Sequence, residues 1–279
     1  MQPLPTFLVL ILLALIGIEM LWARTHSKPV FKFGETLANL GVLLGNQALK
    51  PLTFAWKGLV FGWAQHYALD PLPTTPVWVL VAFLLVELNY YWYHRLSHEW
   101  PLLWTVHHTH HSGSTMNFTT SIRLSWLGGF VAPFFFLPLI LLGFSPTVVL
   151  GSLAFGLLYQ FFLHTEAFRT WGRLEGWLNT PSAHRVHHGS NPRYIDKNYG
   201  AVLLMFDRIF GTYEPETEQV RYGVTTGLVS NNPFAVVFAP LVRWLGGRLI
   251  REKWVSRIQE LEDIGGNESP MALPGHQEG

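Results

Sequence analysis

The stretch TPVWVLVAFLLVELNYYWYH, residues 75–94, limits the possible folds more than any other. It is long and apolar enough for a membrane helix, and it runs without a break into His94, with His98 four residues on. An apolar helix that ends in imidazoles must place them at a membrane boundary or in a buried polar site.

Other segments read the same way. FLVLILLALIGIEMLW (7–22) is apolar except for Glu19, and it lacks the basic start and small-residue cleavage site of a signal peptide, so an anchor is expected. Segment 36–69 carries Pro51 and reads as one kinked helix or a hairpin. Segments 124–143 and 147–163 are apolar runs split by the turn signal GFSP. Charged residues make up 13 % of the chain, about half the usual share, and mean hydropathy is +0.23. A net charge of +1 provides no field for nucleic acid.

The connections 70–76 and 143–146 carry no Lys or Arg, whereas 24–32, 95–123 and 164–221 carry many. Basic loops stay on the cytoplasmic side, which places every histidine group there. The expected fold is all-α, a polytopic membrane protein with about four to five membrane helices and a cytoplasmic histidine-rich helical cap. Residues 1–70 read as N-terminal membrane helices, 71–222 as a catalytic domain, 223–264 as an interfacial amphipathic segment and 265–279 as a disordered tail.

With no cysteine in the chain, any metal must be held by nitrogen and oxygen. Histidine is abundant, with 13. His94 and His98 share a helix face at i, i+4. HHTHH places His107, His110 and His111 on one face and His108 about 100° away. HRVHH repeats the pattern at His184, His187 and His188, behind NTPS, an N-cap signal with Pro181 near the first helical position. His164 stands alone at the end of the fifth apolar segment, a place where a single histidine is ordinarily interfacial. So many imidazoles exceed the four or so ligands of one ion, and two ions are expected. Iron suits the lipid setting, because with O2 it attacks unactivated C–H bonds; zinc is the expected replacement.

HxxxH, HxxHH and HxxHH in this order, within YYWYHRLSHE, HHTHHSG, LYQFFLHTE and NTPSAHRVHHGSNPRYIDKNYG, resemble the fatty acid hydroxylase/sterol desaturase superfamily. The resemblance implies a di-iron membrane monooxygenase that hydroxylates a lipid chain. By position it implies the ligands His94, His98, His107, His110, His111, His184, His187 and His188, with His164 as a further one. Where such stretches read NTPSHHRVHH this chain has Ala183, outside the HxxHH core. Four candidate catalytic residues lie beside the ligands. Glu87 is two helical turns before His94, placed to accept a histidine N–H; Glu99, Asp196 and Asn198 could orient ligands, though Asp196 could instead pair with Arg193 or Lys197. The cofactors expected are two iron ions, O2 and an external electron donor, a tetrahydropterin or a reductase, since no dinucleotide motif is present. The partners expected are a lipid substrate in the bilayer and that separate donor.

Attack beside an ether oxygen would yield a hemiacetal and cleave an ether lipid. A sterol or fatty-acyl desaturase or hydroxylase would share every metal motif. A metal transporter is the rival of another class, and it would want polar residues at the bilayer midplane. The substrate route expected is an apolar tunnel between the third, fourth and fifth segments, lined by Phe134, Phe135, Phe155 and Phe162, with Gly128, Gly129, Gly151 and Gly156 allowing close helix approach.

Overall fold

A computed structural model describes residues 6–227 and 230–247. Nine α-helices follow one another among them: α1 Thr6–Thr25, α2 Phe33–His66, α3 Pro76–Glu99, α4 Pro101–His111, α5 Gly128–Leu141, α6 Pro146–Phe161, α7 Pro181–His187, α8 Met205–Ile209 and α9 Pro233–Leu245. No strand occurs among the described residues, only isolated bridges such as Gly189 with Tyr222. The tail expected from 265 lies outside the described residues, as does the interfacial segment beyond 247.

Two helices, α1 and α3, are long and apolar enough to cross a membrane. The fourth and fifth apolar segments form α5 and α6, of 14 and 16 residues. At 1.5 Å per residue each spans about 21–24 Å, less than the roughly 30 Å hydrocarbon core. The segment around Pro51 is one continuous helix of 34 residues, with no hairpin. It is long, but Glu35, Asn39, Asn46, Lys50 and Lys57 interrupt its apolar character. The expected four to five membrane segments therefore correspond to two helices that qualify by length and composition, plus shorter apolar ones.

The core lies where α2, α3, α5 and α6 meet, around Val60, Phe61, Ala82, Val86, Phe136, Ile140 and Val149. At the end of this bundle away from the histidines, Gly143 takes φ +92° in the expected turn between α5 and α6 and accepts a hydrogen bond from Leu72 N at 3.0 Å. At the other end, buried polar contacts tie the helices to the loop after α4. Glu19 in α1 accepts from Phe118 N (2.7 Å), and Glu35 in α2 accepts from Ser114 Oγ (2.8 Å) and Thr115 N (3.1 Å). Arg123, fully buried, donates to Thr109 O, Ser112 Oγ and Asn39 Oδ1. These bonds hold α4 against α2.

Candidate metal centre

The centre is built at a sharp break between α3 and α4. Pro101 opens α4 and keeps Trp100 extended, at φ −96° and ψ 118°, so α3 stops one residue earlier. The turn folds the end of α3 back onto α4. His94 Nε2 then lies 2.9 Å from His107 Nε2, and His107 Nε2 lies 3.1 Å from His111 Nε2. The third cluster arrives on α7, whose start follows the expected signal: Thr180 Oγ1 accepts from Ala183 N at 3.2 Å and Pro181 occupies the first turn. His164, just beyond α6, brings its Nε2 to 3.2 Å from His110 Nε2 and 3.0 Å from His184 Nε2.

Nine histidines gather into two adjoining groups. One holds His94, His98, His107, His111 and His187; the other holds His110, His164, His184 and His188. The groups abut, with the rings of His111 and His188 stacked at a centroid distance of 4.3 Å. His108 belongs to neither; its Nε2 lies 3.2 Å from Thr226 Oγ1. His164, isolated in the sequence, is a full member of the second group.

The chemistry of these nitrogens fits a cation. His94 Nδ1 lies 2.7 Å from Tyr199 O, His164 Nδ1 2.7 Å from Gln160 O and His187 Nδ1 2.9 Å from Lys197 O. A carbonyl only accepts, so each Nδ1 carries the proton and each Nε2 presents a lone pair. His187 Nε2 and His188 Nε2 are buried and have no hydrogen-bond partner. His94 Nε2 and His164 Nε2 face other imidazole nitrogens at 2.9–3.2 Å; a cation about 2.0–2.1 Å from each nitrogen would take up these lone pairs. Burial, and then neighbouring imidazoles, hold His107, His111 and His188 well below the ordinary imidazole range, and burial lowers His164 to about 4. The rings are thus neutral and able to ligate.

The candidate residues outside the ligand set divide. Asp196 lies beside the centre, its Oδ1 3.6 Å from His98 Nδ1, and not on Arg193, which pairs with Glu214 at 2.6 Å. Glu87 is buried but reaches no histidine; its Oε2 accepts from Val202 N (2.9 Å) and Leu203 N (2.8 Å). Asn198 acts at one remove, donating to Ala183 O and Glu214 O and accepting from Glu214 N. Glu99 lies outside both groups and pairs with Arg95 on the surface at 2.8 Å. Ala183 takes the Asn198 bond through its carbonyl, and position 183 belongs to neither group.

Sequence reasoning missed the main support of the ligands, the backbone carbonyls of Gln160, Lys197 and Tyr199. Asp196 and Asn198 hold φ +59° and +56°, a left-handed conformation that Asp and Asn tolerate, and this shapes the loop that presents two of those carbonyls. Asp207 was missed as well. It accepts from Tyr199 N, Gly200 N and Thr212 Oγ1 at 2.7–2.8 Å, which holds the same loop. The turn-forming run DKNYG was the available signal.

An apolar cavity of about 260 Å³ reaches His94, His107 and His110 between α2, α3, α5 and α6. Phe136, Leu150, Leu153 and Leu157 line it, together with Gly128 and Gly129. The expected lining is corrected: Phe134, Phe155 and Phe162 face outward, 49 %, 54 % and 38 % exposed. Consecutive helical residues lie about 100° apart, so in the run Phe134–Phe136 only Phe136 lines the cavity. Of the glycines, Gly129 approaches Thr53 closely and Gly156 packs beside Ala201 and Glu87, while Gly151 has open space around it. A second, smaller opening of about 60 Å³ reaches His98, His111, His187 and His188 past Asp196 and Thr226.

Residues 79–212 match the family model described as fatty acid hydroxylase. This segment belongs to the fatty acid hydroxylase family. Its bounds enclose all nine histidines of the two groups. Among curated relatives, the chain is 40 % identical over 237 residues to alkylglycerol monooxygenase of Homo sapiens, covering 84 % of this chain and 52 % of that protein. It is 40 % identical over 227 residues to alkylglycerol monooxygenase of Danio rerio, covering 80 % and 50 %. It is also 29 % identical over 168 residues to an ornithine lipid hydroxylase of Rhizobium tropici, covering 59 % and 50 %. The chain spans about half the length of these relatives. No solved structure matches it.

Proposed function

We propose that this chain is a membrane-embedded di-iron monooxygenase that uses O2 to hydroxylate a C–H bond of a lipid, an ether lipid of the alkylglycerol type foremost. The observation that carries the reading is the apolar cavity ending on His94, His107 and His110. A hydrolase or an ion pathway gains nothing from a mostly apolar cavity at its histidines, whereas an alkyl chain is held there away from water, which avoids about 0.8 kcal/mol per exposed methylene. The names of the relatives support the lipid, and imidazole-only groups suit iron.

The two groups would hold one ion each, five histidines for the first and four for the second. Iron bound there would supply O2 activation and hydrogen abstraction from the lipid carbon. The protein's part is placement. Gln160, Lys197 and Tyr199 fix the tautomers of His164, His187 and His94, so their Nε2 atoms need no reorganisation when the metal enters. Phe136 and the leucines of α6 exclude water from the reacting carbon. Asp196, on the opposite opening, places a carboxylate on the side where an external electron donor would approach. With basic loops retained inside, that side is the cytoplasm.

The test is purified protein with bound iron, a chemical reductant and a panel of alkylglycerols, acyl lipids and sterols. O2 uptake matched by aldehyde release from an alkylglycerol is the expected result. A new double bond would reassign the chain to desaturation, and metal binding without lipid-dependent O2 uptake would overturn the reading.

A further inference from the structure

The apolar cavity has one charged side chain other than histidine in its lining, Lys57 of α2. Asn46, Lys50, Thr53 and Lys57 stand at i, i+4, i+7 and i+11 and form a polar stripe along one helix face. Thr53 packs against Gly129, and Asn46 donates to Leu124 O, so the stripe is held against the cavity wall. Lys50 is the charge that acts on Lys57, and it has the same sign. Among the described residues, neither ammonium has an ion pair or a hydrogen bond. A half-buried lysine that feels a second lysine two turns away, with no carboxylate opposite, is costly unless an anion neutralises it.

We propose that Lys57, with Lys50 and Asn46, binds the anionic headgroup of the lipid whose chain fills the cavity, so that among ether lipids of the alkylglycerol type a phosphate-bearing one is held more tightly than its neutral counterpart. This assignment rests on the lipid-hydroxylating reading above and adds the headgroup class to it. The cavity provides the chain's site and the stripe provides the charge, and both lie on the same wall of α2.

The experiment is equilibrium binding to the full chain with its metal bound, in a neutral detergent and without reductant, so no turnover is needed. The probes are dodecyl phosphate, the neutral dodecylglycerol and inorganic phosphate. Dodecyl phosphate should bind about tenfold more tightly than dodecylglycerol. Lys57→Met should abolish that preference, and Lys57→Arg should restore most of it. Lys50→Met, at an exposed position, should lower the preference in part, and metal content reports that each variant is folded. Inorganic phosphate at the same concentration should not compete. Equal binding of the two amphiphiles to the unsubstituted protein would overturn the proposal, as lysines that merely reach bilayer headgroups predict. Inorganic phosphate binding as tightly as dodecyl phosphate would overturn it too, since the site would then read a free anion. Absence of O2 uptake on every lipid would count against the activity alone and leave the binding preference measurable.

Discussion

The carboxylate of Glu87 in α3 accepts the backbone N–H groups of Val202 and Leu203 through a single oxygen, at 2.9 and 2.8 Å. The bond joins the helix that carries His94 and His98 to the segment just after the Tyr199 carbonyl. One acceptor oxygen suffices, so Glu87→Gln should keep the brace. Glu87→Ala should leave two buried N–H groups unpaired, at about 1–3 kcal/mol each. Thermal unfolding in detergent should therefore rank the alanine variant well below the glutamine variant. Equal loss for both would show that the charge, rather than the acceptor, matters.

Metal stoichiometry follows from the two histidine groups. Two ions per chain are expected, with iron native and zinc taking its place in metal-replete overexpression. Elemental analysis of His164→Ala should show the loss of about one ion per chain, because it removes one of the four ligands of its group.

His108→Ala separates motif from geometry. His108 lies in HHTHH but sits against Thr226, so its variant should retain both metals. His107→Ala, His110→Ala and His111→Ala should each lower metal content. Equal metal loss from His108→Ala would contradict the grouping.

Asn198 tests the loop that presents the carbonyls. Its side chain bonds Ala183 and Glu214 while its backbone sits at φ +56°. Asn198→Gly relieves the backbone but loses the bonds; Asn198→Val loses the bonds and strains the backbone, by about 1–3 kcal/mol. Stability and metal content should fall in the order wild type, glycine, valine.

Filling the cavity should separate binding of the chain from assembly of the centre. A Cβ at Gly128 would meet only Val106, at 3.7 Å, so Gly128→Leu can enter the cavity without moving the backbone. Metal should stay at wild-type content while turnover of long-chain lipids drops more than that of short ones. Gly156→Leu would instead press on Ala201 and Glu87 and should lower the melting temperature.

Eight of the nine histidines in the two groups were legible because local spacing carries them. An i, i+3, i+4 pattern places imidazoles on one face wherever the helix goes, and Pro101, Thr180 and Pro181 mark the helix starts. The cavity lining was not legible, because α5 is apolar all round and nothing local tells Phe134 from Phe136. The carbonyls of Gln160, Lys197 and Tyr199 belong to every residue type alike, so no side-chain pattern announces them.

By itself, then, the sequence determined that at least eight histidines on helical faces would meet beside apolar helices, since periodicity and the lack of cysteine follow from the chain alone. Only the tertiary structure decided that His111 joins His94 and His187 while its neighbour His110 joins His164 and His184. Adjacent residues on a helix point about 100° apart, and which group each ring enters depends on where α3, α6 and α7 dock around α4. The same docking brought the lone His164 into the centre and turned Glu87 from the histidines toward the backbone of Val202 and Leu203.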